Sequence, residues 1–114
     1  MEFSEHKPIY LQMVDLMREK IMCNTWEEEA RIPSVREMGA TLGVNPNTIV
    51  RSYQLLEADN IIYNKRGLGY FVKAGAKELI KECQRREFIE SELPKFKAKA
   101  DLLGITKEEL MRLL

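Results

Sequence analysis

Residues 31–60, RIPSVREMGATLGVNPNTIVRSYQLLEADN, constrain this chain more than any other stretch. They hold two helical patterns separated by a corner that neither helix can cross. Ser34 is a good N-cap, and Glu37 three residues later completes the spacing of a capping box. Val35, Met38 and Leu42 recur at helical intervals and predict one apolar face. Gly43 tolerates the left-handed conformation that stops a helix, and Val44 is an apolar plug for the corner. Asn45-Pro46 restarts the chain, because Asn accepts at an N-cap and Pro at the first helical position gives up no useful donor.

The second helix, about Pro46 to Ala58, is two-faced. Ile49, Tyr53 and Leu56 share one side, while Asn47, Arg51 and Gln54 share the other with Thr48 on the flank. Such a polar front suits a DNA major groove. Arg reads guanine bidentately, Asn or Gln reads adenine, and Thr serves a base or a phosphate. The bland alternative is a face that merely meets water.

Composition matters mainly for what it excludes. A chain of 114 residues makes one ordinary domain with a small appendage. It has no apolar run long enough for a membrane span, and MEFSEHKPIY lacks the basic and apolar segments of a signal peptide, so a cytoplasmic location is expected. Cys23 and Cys83 lie far apart with no His at metal-ligand spacing. Both fall within helical patterns and are expected to be buried free thiols rather than a disulfide. His6, the only histidine, falls in a loose leader over residues 1–7, where no catalytic or metal role is expected. With no nucleotide loop, paired catalytic carboxylates or metal spacing, neither an enzyme nor a cofactor is expected.

The formal charge is zero, but its distribution is uneven: residues 1–30 carry −4, residues 31–75 carry +3 and residues 76–114 carry +1. The positive surplus coincides with the two-helix segment. It is small, so affinity for DNA would lean on two copies of the domain.

Before that segment, Pro8 to Cys23 predicts a helix with a broad apolar stripe of Ile9, Met13, Leu16 and Ile21 flanked by Tyr10, Val14 and Met17. Asn24 ends it, and Trp26 and a solvated Glu27-Glu28-Glu29 follow in a loop. Pro33 pushes Ile32 extended, so Ile32 is placed as a short strand against a later hairpin. Arg36 sits in a first helical turn, where free N–H groups favour anions; it reads equally as a phosphate contact or as a surface ion pair. After Asn60 the period changes to two. Residues 61–64 and 70–72 are strands, and Lys65-Arg66-Gly67-Leu68-Gly69 is a tight turn with two cations at its tip. A basic hairpin directly behind a candidate reading helix has the form of a wing that touches phosphates or the minor groove.

In register, IPSVREM, LGVNPNTIVRSYQLLE and IIYNKRGLGYFV resemble the winged helix-turn-helix of the GntR family of bacterial transcription regulators, over about residues 8–75. The resemblance implies DNA contacts at Ser34 and Arg36, at Asn45, Asn47, Thr48 and Arg51, and at the wing residues Lys65, Arg66 and Gly67. Three positions depart from the family pattern. Gly39 stands where Ala is usual, a change expected to cost the helix about 1 kcal/mol. Asn60 replaces Gly harmlessly, since Asn tolerates the same turn. Glu29-Ala30 replaces a Gly-containing loop and leaves the geometry before Arg31 open.

Only some forty residues follow the wing. They read as helix from Ala76 to about Glu92 and on through Pro94 to Leu103, with Pro94 as a kink or as the first turn of a second helix. Ile89, Leu93, Phe96, Ala100 and Leu103 form an a/d seam that Leu79 and Cys83 extend upstream. Gly104 stops the run, and Thr106 caps a last helix ending in Leu110, Leu113 and Leu114. The seam either packs on its own winged helix or pairs with a second chain; a tail this short cannot enclose a ligand pocket and also bury much core. Short-tailed chains of this kind resemble the YtrA subfamily, which implies a dimerisation unit and, among such relatives, control of transporter operons. The resulting expectation is a mostly α fold with a small β-hairpin: a winged helix-turn-helix over residues 1–75 and a helical dimerisation tail over 76–114. It would act as a homodimeric, sequence-specific regulator, a repressor, on a pseudo-palindromic operator in double-stranded DNA. No membrane partner is expected and no effector is named. A winged helix used as a protein-interaction scaffold is the alternative.

Overall fold

The computed structural model describes residues 7–114. His6 and, apart from Lys7, the predicted leader lie outside the described residues. The elements run α1 (Ile9–Met22), α2 (Val35–Leu42), α3 (Pro46–Ala58), β1 (Ile62–Lys65), β2 (Gly69–Val72), α4 (Ala76–Glu87), a π-helical turn (Phe88–Glu92), α5 (Leu93–Leu102) and α6 (Lys107–Leu113). They form two compact units, one ending at Lys81 and one covering Glu82–Leu114.

The first unit is built around α3. Ile49, Tyr53 and Leu56 have no exposed surface and meet Met13, Val14, Met17 and Ile21 of α1 and Met38 of α2. Each such side chain contributes roughly 1.5–3 kcal/mol by leaving water. The buried stripe of α1 is narrower than predicted. Ile9 is 46 % exposed because it stands in the first turn and lines a surface groove with Asn47 and Thr48 instead of joining the core.

Polar anchors set the angle of α3. The buried Ser52 Oγ donates to the Tyr10 carbonyl at 2.7 Å and tethers α3 to α1. Tyr53 Oη donates to the Pro33 carbonyl at 2.7 Å, tethering α3 to the segment that leads into α2. Burial raises the Tyr53 phenol well above its ordinary pKa, so it remains a donor. Arg18 pairs with Asp59 at 2.9 Å, joining α1 to the end of α3.

The corner between α2 and α3 forms as the sequence predicts. Ser34 and Glu37 make the reciprocal capping box, Gly43 is left-handed at φ 66°, and Asn45 Oδ1 accepts from Asn47 N at 2.9 Å. Gly39 is more than a weak point in α2. Its carbonyl accepts from Val44 N at 2.9 Å, and a Cβ at Gly39 would lie 2.8 Å from the Val44 carbonyl oxygen. Close approach of the corner therefore explains the glycine.

The wing pairs Ile62 with Val72, Tyr63 with Phe71, Asn64 with Tyr70 and Lys65 with Gly69. Ile62 and Val72 face the core, while Tyr63 and Phe71 stack on the outer side, 5.8 Å apart. The segment before α2 adds an antiparallel bridge, Arg31 to Phe71, and Ile32 N donates to the Tyr70 carbonyl at 2.9 Å. Glu29 takes the left-handed φ of 67° in the loop where the family pattern has glycine, and its N–H reaches the Val72 carbonyl at 2.8 Å. Asn24 and Asn60 are left-handed too, at φ 61° each. Ala76 and Ile80 belong to this core, which is why the unit extends into α4.

The cysteines differ from the expectation of buried thiols. Both are free, but Cys23 and Cys83 are exposed rather than buried. Cys23 is the residue just past the end of α1, and Cys83 lies on α4 beyond the buried Ala76 and Ile80. Helical periodicity places a residue on a pattern; it does not say whether anything covers it.

In the second unit, Pro94 stands in the first turn of α5, just after the widened π-helical turn. A proline lacks the N–H for the preceding turn and its ring crowds the carbonyl four residues back; the wider turn relieves that crowding without ending the helix. Gly104 ends α5 at φ 72°, and Thr106 Oγ1 caps α6 by accepting from Glu109 N at 3.1 Å. Ile89, Leu93, Phe96 and Ala100 line an apolar groove of about 500 Å³ closed on one side by Ile105 and Leu110. No helix among the described residues is long and apolar enough to cross a membrane.

Candidate nucleic-acid interface

The front of α3 is open to solvent. Asn47, Arg51 and Gln54 are exposed and Thr48 is half-buried, opposite the fully buried Ile49, Tyr53 and Leu56. Asn47, Thr48 and Arg51 share a shallow groove of about 370 Å³ with the first turn of α1. Asn45 is exposed as well, but its carboxamide oxygen is committed to the helix cap, leaving its amide group to reach outward.

Ser34 and Arg36 stand at the start of α2. Hydrogen bonds from the Ser34 side chain, then from its backbone N–H, hold the exposed Glu37 carboxyl below its ordinary pKa. Arg36 is exposed and forms no ion pair among the described residues. Lys65, Arg66 and Gly67 are exposed on the wing, where Gly67 makes the turn at φ 80°. Lys65 Nζ lies 5.5 Å from the centre of the Phe71 ring, so the outer aromatic pair supports a cation.

Arg31 and Tyr10 were not singled out from the sequence as site residues. Arg31 is exposed, and its guanidinium crosses the wing so closely that a Cβ at Gly69 would meet its Nε at 3.1 Å. Its signal was a third cation adjoining the Ile32-Pro33-Ser34 segment. Tyr10 comes from α1 and underlies Arg51, a contact across 41 residues that no local pattern reveals. Among the described residues no group of three or more His, Cys, Asp or Glu side chains is arranged to hold a metal.

A basic two-stranded wing behind an exposed reading helix is the architecture of a DNA-binding domain, and comparison with known proteins names its kind. The model of the bacterial regulatory proteins of the gntR family matches residues 9–72. The chain belongs to the GntR family. The match contains every residue of the interface described above. Over 112 residues the chain is 37 % identical to the HTH-type transcriptional regulator YhcF of Bacillus subtilis, covering 96 % of this chain and 89 % of that one. It is 31 % identical over 103 residues to the HTH-type transcriptional repressor YtrA of the same organism, covering 90 % and 78 %. A crystal structure of a GntR-family regulator from Bacteroides thetaiotaomicron superposes with a TM-score of 0.78 at 42 % identity, covering 93 % of this chain and 92 % of that one. Like its relatives, this GntR-family chain is a DNA-binding transcriptional regulator rather than an enzyme, and its likeness to the short regulators runs through the tail.

Proposed function

We propose that this GntR-family regulator binds a pseudo-palindromic operator as a homodimer and represses transcription from it. The observation that carries the DNA-reading half is the division of α3: Ile49, Tyr53 and Leu56 are wholly buried while Asn47 and Arg51 are in solvent. Asn45, Asn47, Thr48 and Arg51 address bases in the major groove. Ser34, Arg36, Lys65, Arg66 and the Gly67 backbone hold phosphates or the minor groove, and Arg31 joins them. Two reading helices in successive major grooves put the half-sites about one helical turn apart. Acting on bacterial DNA, the protein works in the cytoplasm.

Pairing is assigned to residues 76–114. Leu93 is 44 % exposed and Phe96 53 % exposed along a continuous apolar groove. A second copy of the seam removes that surface from water, an association worth roughly 25 cal/mol per Å² before the entropic cost of binding. Repression follows the likeness to the repressor YtrA.

Selection of bound duplexes from a random-sequence pool, at two salt concentrations, tests the reading directly. It should return a two-fold symmetric motif whose binding falls steeply with salt. Arg51→Ala should relax the preference at one base pair of each half-site by roughly 1–3 kcal/mol. Phe96→Glu should turn a dimer into a monomer by light scattering with unchanged circular dichroism. The zero net charge favours one other reading, a winged helix that binds protein instead; it requires that no duplex bind in a salt-dependent way.

A further inference from the structure

We infer that Tyr10, on the first turn of α1, is a positioning residue for base reading: it holds the Arg51 guanidinium of α3 in place before DNA arrives. This rests on the proposal that Arg51 reads a base. The Arg51 Cζ lies 3.9 Å from the centre of the Tyr10 ring, a stacking distance. The ring is not there by accident of a loose side chain. The Tyr10 carbonyl accepts a 2.7 Å hydrogen bond from Ser52 Oγ, and Ser52 is fully buried and adjacent to Arg51 in sequence. One residue of α3 thus grips the backbone beneath the ring while its neighbour lies on the ring face. Pro8 at the start of α1 further restricts that turn.

The geometry is compatible with reading. Stacking occupies the flat face of a guanidinium, whereas a bidentate bond to guanine uses N–H groups directed outward in its plane. Tyr10 can therefore stay in contact while Arg51 binds a base. An arginine left free in solvent loses rotamer freedom when it binds, and a ring that already holds it lowers that loss. The benefit applies only where Arg51 makes its bond, so Tyr10 should sharpen discrimination at one base pair of each half-site. The open groove beside the pair, formed by Pro8, Ile9, Tyr10, Asn47, Thr48 and Arg51, leaves room for a base edge to approach.

The test uses the full chain, the duplex recovered by selection and its single-base variants. Tyr10→Leu removes the π face but keeps an apolar side chain. It should lower discrimination at the Arg51-dependent base pair about fivefold and leave the salt slope unchanged, because no phosphate contact is lost. Tyr10→Phe should retain wild-type discrimination. In an Arg51→Ala background Tyr10→Leu should change nothing further at that base pair. Uniform weakening on every duplex, with the ratio between bases intact, would overturn the inference, as would full discrimination by Tyr10→Leu. A second measurement needs neither DNA nor a folded Tyr10→Leu variant. The ring current should move the Arg51 Nε proton upfield in the NMR spectrum of the free wild-type and Tyr10→Phe proteins; an ordinary random-coil shift in both refutes the stack. If the wild-type protein binds no duplex, the functional reading fails and takes this inference with it; if wild type discriminates and Tyr10→Leu does so equally, only the inference fails.

Discussion

Replacing Gly39 with alanine sets two known effects against each other, and the corner of the helix-turn-helix decides between them. Gly→Ala inside a helix ordinarily stabilises by about 1 kcal/mol, because alanine loses less backbone entropy. At Gly39, however, the new Cβ would sit 2.8 Å from the Val44 carbonyl oxygen and 3.5–3.6 Å from Pro46. The nearest atom is backbone, so no rotamer change removes the clash. That backbone is also held: Val44 N donates to the Gly39 carbonyl at 2.9 Å, and Gly43 is fixed in its left-handed turn. Relief requires the corner to open by a few tenths of an ångström. Forcing extra carbon into such a contact costs about 1–3 kcal/mol, so the net effect is a loss of about 1 kcal/mol. Urea unfolding followed by circular dichroism reads this as a midpoint lowered by roughly 0.5–1 M at unchanged m. A midpoint raised by the substitution would falsify the reasoning, because it would mean that helix propensity outweighs the corner contact.

Three further outcomes follow from other parts of the structure. Glu29→Gly should raise the melting temperature by about 2 °C, since relief of a left-handed φ of 67° slightly exceeds the added freedom of glycine in the unfolded chain; a lower melting point would mean that the Glu29 side chain contributes something its backbone does not show. Lys65→Ala should weaken binding to every duplex alike and reduce the salt slope by about 1.8, one phosphate contact being lost from each protomer of the dimer, and an effect confined to one base preference would show that the wing reads sequence. Glu37 has a folded pKa held below its ordinary 4.5 by Ser34, so its contribution is fully present above the unfolded value and disappears as pH falls through the folded one. The urea midpoints of wild type and Glu37→Gln should accordingly differ at neutral pH and converge in acid; a gap that persists at pH 2 removes the carboxylate from the explanation.

Local rules account for what was legible in advance. Ser34, Glu37, Gly43, Asn45 and Pro46 act on backbone groups within a few residues of themselves, and all appear in the predicted roles. The division of α3 into buried Ile49, Tyr53 and Leu56 and exposed Asn47 and Arg51 is likewise a matter of 3.6-residue periodicity. Cys23 and Cys83 mark where such rules stop, since a periodic pattern cannot say how far a neighbouring element reaches.

The order of elements, their caps and the side of α3 turned toward water were thus written in the chain itself, because turn chemistry and helical periodicity are short-range. Tertiary structure alone decided the rest. It showed that Gly39 answers to the Val44 carbonyl, that Arg31 lies across Gly69, and that Tyr10 underlies Arg51. Each is a contact between segments whose meeting depends on how whole helices and the wing pack, and packing is set by the combined surfaces of many residues rather than by any local run.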